Sequence, residues 1–227
     1  MNQKTIVRFA VREIMGAVLL GVALFWAAGR LDWWAAWALI ALTLAWSAAT
    51  AIVILRLNPD LLAERLGRAK GGKRWDRAIM SIVGLVILAR PIVAGLDQRY
   101  GWSGGISLLA QIAALVVCAL GYALLVWATG SNAYFSQIVR IQDERGHAVA
   151  MGGPYRWVRH PGYAGTILYE LAAPILLASW WALIPSAVSV ILFVVRTALE
   201  DKTLRIELPG YVKYAEDVPW RLVPGVW

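Results

Sequence analysis

Long apolar runs dominate this sequence and restrict what the chain can fold into. A helix that crosses a bilayer needs about 20 mainly apolar residues, and we expect four such helices, over residues 14–28, 33–55, 78–96 and 106–129. The first run follows three basic residues, and we expect it to remain as a transmembrane helix rather than to be a cleaved signal peptide. With 60% hydrophobic and 16% charged residues, the chain is predicted to be an integral membrane protein.

A fifth apolar stretch, over residues 164–199, is interrupted by Pro174 and by the segment 179–185. Each half has about 15 to 18 residues, which is short for an upright span at about 1.5 Å per residue. We therefore expect a helical hairpin whose halves return to the same side. Leucines at helical spacing in residues 59–66 predict a short helix on the membrane surface. The expected fold class is all-α, a polytopic helical bundle.

The distribution of basic residues predicts the orientation. Three Lys or Arg residues precede the first run, seven lie in the segment 56–77 and four in the segment 130–160. The opposite side has only Arg30 and Arg99, with Arg90 near that end of the third span, where we expect it to reach the interface by snorkelling. The positive-inside rule then places both termini and the basic loops in the cytoplasm.

The net charge of +8 does not indicate a nucleic-acid partner. The basic residues form blocks between apolar spans rather than one polar face, which favours anionic lipid headgroups. The single cysteine, Cys118, lies inside an apolar run, so no disulfide forms within the chain.

The segment GGPYRWVRHPGY, residues 152–163, concentrates the residues most suited to chemistry. A Gly-Gly-Pro turn lets the backbone approach a ligand, and Pro161 prevents a helix from running through His160. Arg159 and His160 supply a fixed cation and a titratable donor. The alternative is a basic loop beside the membrane that only determines topology.

Arg196 and Glu200 lie four residues apart where the second half of the hairpin leaves the apolar layer. Taken alone, the pair is typical of an ordinary salt bridge between residues i and i+4. The polar residues around it, which favour a site, are His147, Arg159, His160, Asp201, Arg205 and Glu207. Glu170, inside the hairpin, is expected either to form an ion pair or hydrogen bond within the bundle or to contact substrate.

Several short motifs follow one another in the last 95 or so residues: Gln142, GHAVAMGGPYRWVRHPGY, RTALEDKTL and ELPGYVKYAEDVPWRLVP. In this order they resemble the isoprenylcysteine carboxyl methyltransferase family and related membrane phospholipid N-methyltransferases. The resemblance implies S-adenosylmethionine as cofactor, in a cytoplasm-facing pocket formed by the loop and by the helix after the hairpin. It also implies two regions, four transmembrane helices over 1–129 and a catalytic region over 130–227.

The resemblance implies a role for each matching residue. The expected cofactor-binding residues are Gln142, His147, Ala148, Val149, Ala150, Tyr155, Arg159, His160, Pro161, Tyr163 and Glu200. Arg196 matches a position that holds the substrate carboxylate, and we expect Arg196, Glu200 and His160 to act in catalysis, without a metal. Family members that modify prenylated proteins often have a run of glutamates where this chain has ALED, residues 198–201. The acceptor therefore stays open among a prenylcysteine-like carboxylate, a lipid amine and a small lipophilic molecule.

The residue types suit this cofactor. Glu200 can bind its sulfonium and ammonium cations, loop amides or His160 its carboxylate, and aromatic rings its adenine. Neither GxGxxG after a strand nor GxxxxGK[ST] is present. In-line methyl transfer depends mainly on alignment. A carboxylate acceptor needs no base, whereas an amine needs one, for which His160, His147 or a tyrosine is available.

Two other classes of function remain open. Membrane sterol reductases end in a similar stretch with an Arg-His-Pro element, so an NADPH-dependent reductase is the alternative enzyme. Arg156, Arg159 and Arg205 would then meet the 2′-phosphate. A non-catalytic lipid-binding scaffold would bind no cofactor and would be indifferent to Glu200→Ala.

Overall fold

The computed structural model describes residues 3–66 and 71–227, and no β-strand occurs in these two ranges. The predicted all-α class is confirmed. The α-helices are α1 (Gln3–Ala28), α2 (Trp34–Leu57), α3 (Asp60–Leu66), α4 (Arg74–Tyr100), α5 (Leu108–Gly130), α6 (Pro161–Leu176), α7 (Leu183–Glu207) and α8 (Tyr211–Asp217). Part of the predicted basic loop 56–77, residues 67–70, lies outside the described residues.

Five of the described helices are long and apolar enough to cross a membrane, namely α1, α2, α4, α5 and α7. They include the four predicted spans, and most extend beyond them into polar sequence. The fifth, α7, is the second half of the predicted hairpin, and α6, with 16 residues, is its first half. The prediction that both halves are too short for an upright span is wrong for α7, which has 25 residues because the helix continues past the apolar run to Glu207.

Small residues allow the helices next to the site to pack closely. Where α5 meets α6, a Cβ atom added to Gly121 would lie 2.6 Å from the carbonyl oxygen of Gly165. Where α4 meets α1, a Cβ atom on Gly95 would lie 2.6 Å from that of Ala27. Such contacts between backbones are typical of membrane helix interfaces. The contact between Gly121 and Gly165 brings α6 close to α5.

Arg90 does not reach the outer interface, and this prediction is wrong. It is 3% exposed and lies inside the bundle, where its Nη1 is 2.7 Å from Glu170 Oε1. Its Nη2 also donates to the Tyr169 hydroxyl at 3.1 Å. A charge inside a membrane bundle is stabilised by a partner of opposite sign. Glu170 therefore has the ion pair that was one of its two expected roles.

The C-terminal tail folds back onto the GGPYRWVRHPGY loop. The amides of Arg159 and His160 donate to the carbonyls of Trp220 and Arg221, both at 2.9 Å. These two bonds fix the backbone of the loop immediately before α6 begins at Pro161. The tail thus helps to position the residues that precede the hairpin.

Candidate functional site

A cavity of about 470 Å³ lies where the loops, the hairpin and α8 meet. Ten of the residues predicted to form the site line it: His147, Ala148, Val149, Ala150, Tyr155, Arg159, His160, Tyr163, Arg196 and Glu200. Two predicted cofactor residues, Gln142 and Pro161, are not on its wall. A volume of this size is within the range of small-molecule sites, about 300 to 1,000 Å³.

The Gly-Gly-Pro turn places Tyr155 on the cavity wall. Gly153 adopts a left-handed conformation, with φ of 54°, which a residue with a Cβ atom rarely tolerates. The following 3-10 turn brings the Tyr155 hydroxyl within 3.2 Å of the Asn132 amide nitrogen, which donates to it. The Tyr155 carbonyl in turn accepts from the Tyr214 hydroxyl at 2.7 Å. Burial raises the pKa of Tyr155, so its phenol stays neutral.

His147, which lies before the Gly-Gly-Pro turn, is kept in its neutral form. Its Nδ1 accepts from the backbone amide of Gln142 at 3.2 Å, and its ring stacks on Tyr134 with 4.5 Å between centroids. Burial is the main reason that the pKa of His147 is lowered. The buried Gln142 side chain donates to the carbonyl of Tyr134 at 2.8 Å. It does not line the cavity, but it connects two parts of the loop that does.

Arg159 is bound to Asp201, the residue after Glu200. Its Nε lies 2.7 Å from Asp201 Oδ1 and its Nη2 3.2 Å from Oδ2, and both side chains are almost fully buried. His160 Nε2 lies 3.5 Å from the same Oδ1. The remaining groups on this carboxylate are Arg205 Nε at 3.2 Å, Arg221 Nε at 3.1 Å and the Tyr211 hydroxyl at 2.9 Å. Asp201 therefore joins the loop, α7, α8 and the tail.

Arg196 and Glu200 do not form the salt bridge that their spacing suggests. Arg196 Nε lies 2.7 Å from Asp76 Oδ1 of α4, and its Nη2 donates to the carbonyl of Gln137 at 2.8 Å. Asp76 is fully buried and also accepts from the Val139 amide. This long-range partner displaces Glu200, because a fully buried carboxylate needs a counterion more than a half-buried one.

Glu200 is the carboxylate that the cavity leaves without a cation. One of its oxygens accepts a hydrogen bond from the Tyr163 hydroxyl, and no Lys, Arg or His nitrogen of the described residues lies within 4 Å of it. It is half-buried and lines the cavity. The arrangement can bind a cationic group next to the tyrosine.

The amino-terminal helices also line the cavity, which the sequence did not indicate. Glu13 of α1 accepts from Arg12 at 2.8 Å and from the Ser47 hydroxyl of α2 at 2.8 Å. Thr50 and Arg65 lie on the same wall. The one available signal was Glu13 itself, an acidic residue at the beginning of an apolar run.

Apolar side chains form much of the rest of the wall. They are Phe9, Trp46, Met80, Leu125 and Phe193, from five different helices. Near the loop, Gly162 allows a close approach, because a Cβ atom there would lie 2.6 Å from the ring of Phe135. The cavity thus combines charged and hydrogen-bonding groups with an apolar surface, as an amphipathic ligand requires.

Comparison with known families finds a match over part of the chain. Residues 112–206 match the isoprenylcysteine carboxyl methyltransferase (ICMT) family, which confirms the resemblance inferred from the motifs. The match extends from α5 almost to the end of α7, and it supports a membrane methyltransferase. No curated protein matches the chain.

Proposed function

We propose that the protein is an integral membrane methyltransferase that uses S-adenosylmethionine and acts on a lipophilic acceptor. The observation that supports this most directly is Glu200, a carboxylate without a cationic partner on the wall of the cavity. It lies inside the segment that matches the methyltransferase family. The proposed acceptors remain a prenylcysteine-like carboxylate, a lipid amine and a small lipophilic molecule.

The residues on the wall suit the chemical groups of this cofactor. Glu200 would bind the cationic methionyl end, with Tyr163 holding the orientation of the carboxylate. The segment of residues 147–150 offers backbone groups, and the stacked rings of Tyr134 and His147 offer an aromatic surface for adenine. Gln142 and Pro161 would act indirectly, by holding the two loops, since neither lines the cavity.

When bound, S-adenosylmethionine supplies an electrophilic methyl group on a sulfonium. The chain has to align the acceptor with it and exclude water, and alignment of this kind lowers the barrier substantially. The apolar wall formed by residues such as Trp46 and Phe193 would exclude water and favour the neutralisation of charge during transfer. If the acceptor is an amine, the neutral His147 ring or His160 would be available to remove its proton.

None of the three arginines expected to bind the 2′-phosphate of NADPH is available on the cavity wall. Arg159 and Arg205 are both bound to Asp201. Arg156 is exposed and is not among the residues that line the cavity. An NADPH site needs a free arginine or lysine for the 2′-phosphate. These three arginines therefore do not support the reductase.

We also propose that the cavity, both termini and the basic segment 56–77 face the cytoplasm, on the distribution of Lys and Arg. The test is labelling of single cysteines in sealed vesicles of known sidedness, in a background where the buried Cys118 is replaced. Arg74→Cys is expected to react from the cytoplasmic side and Leu31→Cys, in the loop between α1 and α2, from the other. The reverse pattern would overturn the orientation.

The function itself is tested by titrating the detergent-purified protein with S-adenosylmethionine, S-adenosylhomocysteine and NADPH under the same conditions. Binding of the two adenosyl compounds but not of NADPH is expected. Binding of NADPH alone would indicate that the same residues form a reductase site. Binding of none of the three compounds would favour the lipid-binding scaffold. Methyl transfer to candidate acceptors, followed with a labelled methyl group, then tests catalysis.

A further inference from the structure

The charges that line the cavity are almost all paired. Within the described residues, five arginines lie on its wall, and four of them have a carboxylate partner: Arg12 with Glu13, Arg140 with Glu64, Arg159 with Asp201 and Arg196 with Asp76. Arg65 of α3 is the exception. No carboxylate of the described residues lies within 4 Å of its guanidinium group.

The hydrogen-bond acceptors around the Arg65 guanidinium are neutral, and the bonds to them are long. Its Nε and Nη2 both lie 3.4 Å from the carbonyl oxygen of Phe135, and Nη2 lies 3.3 Å from Thr129 Oγ1. These distances exceed the usual 2.9 to 3.0 Å or so of an N–H···O bond. The guanidinium also lies over the Phe135 ring, 5.4 Å from its centroid. Its backbone is fixed, because the Arg65 carbonyl accepts from Arg12 Nη1 at 2.9 Å.

This environment is unfavourable for a cation that stays unpaired. Burial lowers the pKa of Arg65 to about 10, with the nearby charge of Arg12 acting in the same direction. The group is still protonated at neutral pH. It is half-buried, and a charge that is partly withdrawn from water without a counterion is costly. A ligand that supplies an anion would relieve this cost.

Arg65 has a counterpart of opposite sign in Glu200. The cavity wall has two carboxylates among the described residues, and Glu13 is paired with Arg12, which leaves Glu200 without a cation. Both unpaired charges lie near Tyr155. Burial raises the pKa of Tyr155, the charge of Glu200 adds to this rise, and the charge of Arg65 opposes it. One cavity thus offers a free anion and a free cation to its ligands.

We propose that Arg65 binds a carboxylate of the ligands that occupy this cavity. The inference rests on the proposed function, under which the carboxylate belongs either to the methionyl part of the cofactor or to the acceptor. A second polar group is available in the same cavity, since Thr50 Oγ1 is buried, lines the cavity and has no hydrogen-bond partner among the described residues. Arg65 and Thr50 both lie outside residues 112–206, so the amino-terminal helices contribute to ligand selection.

The test measures how strongly the protein distinguishes a ligand with a carboxylate from one without. For the cofactor, the pair of probes is S-adenosylhomocysteine and its decarboxylated analogue. For the acceptor, it is an S-prenylated cysteine carboxylate and the corresponding amide. Binding of all four is measured to wild type, to Arg65→Gln and to Arg65→Lys. In one of the two pairs, Arg65→Gln is expected to weaken binding of the carboxylate about 10- to 100-fold and to leave the other probe unchanged.

The pair that responds identifies which molecule Arg65 contacts, and Arg65→Lys should restore part of the affinity. Arg140→Gln is the matched control, because Arg140 lines the same cavity but is bound by Glu64 and Glu144. It should not change the ratio within either pair. If Arg65→Gln does not fold, the ratios in wild type and Arg65→Lys are compared instead.

Equal ratios in wild type and in the Arg65 variants, for both pairs of probes, would overturn the inference. That outcome leaves the proposed function intact as long as wild type binds S-adenosylhomocysteine. If wild type binds neither adenosyl compound, the proposed function fails, and the failure is visible before any variant is compared.

Discussion

Glu200 and Asp201 are neighbours near the end of α7, and their surroundings are opposite. Asp201 is 1% exposed and accepts from three arginines, with His160 and Tyr211 also in contact. Glu200 is half-buried and accepts from one tyrosine. Consecutive residues of a helix point about 100° apart, so one faces the packed side of the bundle and the other the cavity.

The difference separates two uses of a carboxylate. Asp201 connects four parts of the chain, and its charge is fully used by the protein. Glu200 keeps its charge available to a ligand, at the expense of stability that an ion pair would have provided. A third carboxylate on the same helix, Glu207, pairs at the surface with Lys73 at 2.6 Å. Asp201 thus stabilises the fold, Glu200 is available to a ligand, and Glu207 contributes little to either. Variants of the three residues can test this difference.

Asp201→Asn is expected to have the largest effect. It leaves Arg159 buried without its counterion, and breaking a buried pair of this kind costs about 3 to 5 kcal/mol. Thermal unfolding in detergent, followed by circular dichroism, should show a large decrease in Tm. Asp217→Asn, at an exposed position of α8, is the control. Similar Tm values for the two variants would contradict a central role for Asp201.

Glu200→Gln is expected to reduce affinity for S-adenosylmethionine about 10- to 100-fold, because it removes the charge that would bind the cationic methionyl end. The Gln carbonyl can still accept from the Tyr163 hydroxyl, so Tm should stay close to that of wild type. Isothermal titration measures the affinity, with Glu216→Gln as an exposed control. A loss of stability as large as that of Asp201→Asn would show that the two residues do not differ as proposed.

Binding should also depend on pH through His147, which lines the cavity. Its pKa is lowered by burial, so the folded loop binds a proton less readily than the unfolded chain, whose ordinary His pKa is about 6.5. The stability that the neutral ring gives to the loop is therefore fully present above that value and decreases as the pH falls below it. Affinity for S-adenosylhomocysteine should decrease by at most about tenfold per pH unit.

Titrations at several pH values between 5 and 8 measure this effect. His147→Asn keeps an acceptor for the Gln142 amide but does not titrate, and it should remove most of the dependence. An unchanged pH profile in that variant would assign the dependence to another group.

Glu207→Gln is expected to have the smallest effect. The side chains of Glu207 and Lys73 are both about one-third exposed, and such pairs contribute about 0 to 1 kcal/mol, less at high salt. Tm measured at low and high ionic strength should differ little from wild type. A decrease that approaches that of Asp201→Asn would show that stability at this end of α7 does not depend on burial.

The sequence predicts the helices well because their signal is local. An apolar run of sufficient length has few alternatives in a membrane, and the four spans and the hairpin follow from it. The motifs of the loop and of α7 likewise predict ten residues that line the cavity. These motifs are short segments whose spacing is fixed along the chain.

The pairing of charges is not local, and there the sequence misleads. Arg196 has Glu200 one turn away but binds Asp76 of α4, and Arg90, expected at the interface, binds Glu170 of α6. Each partner is remote in sequence, and only helix packing brings it within reach. For the same reason, the sequence shows Arg65 only as one residue of a basic segment. The sequence shows which charged residues are present, whereas the partner of each one depends on how the helices pack.

The bonds from Arg159 and His160 to Trp220 and Arg221 have a consequence for biogenesis. The ribosome synthesises these two acceptor residues well after the loop, and only after both helices of the hairpin. The loop therefore cannot take its final backbone conformation while the hairpin is being inserted into the membrane. Assembly of the cavity is a late event in maturation, separate from membrane insertion, and a nascent chain stalled before Trp220 would be integrated without being competent to bind its ligands.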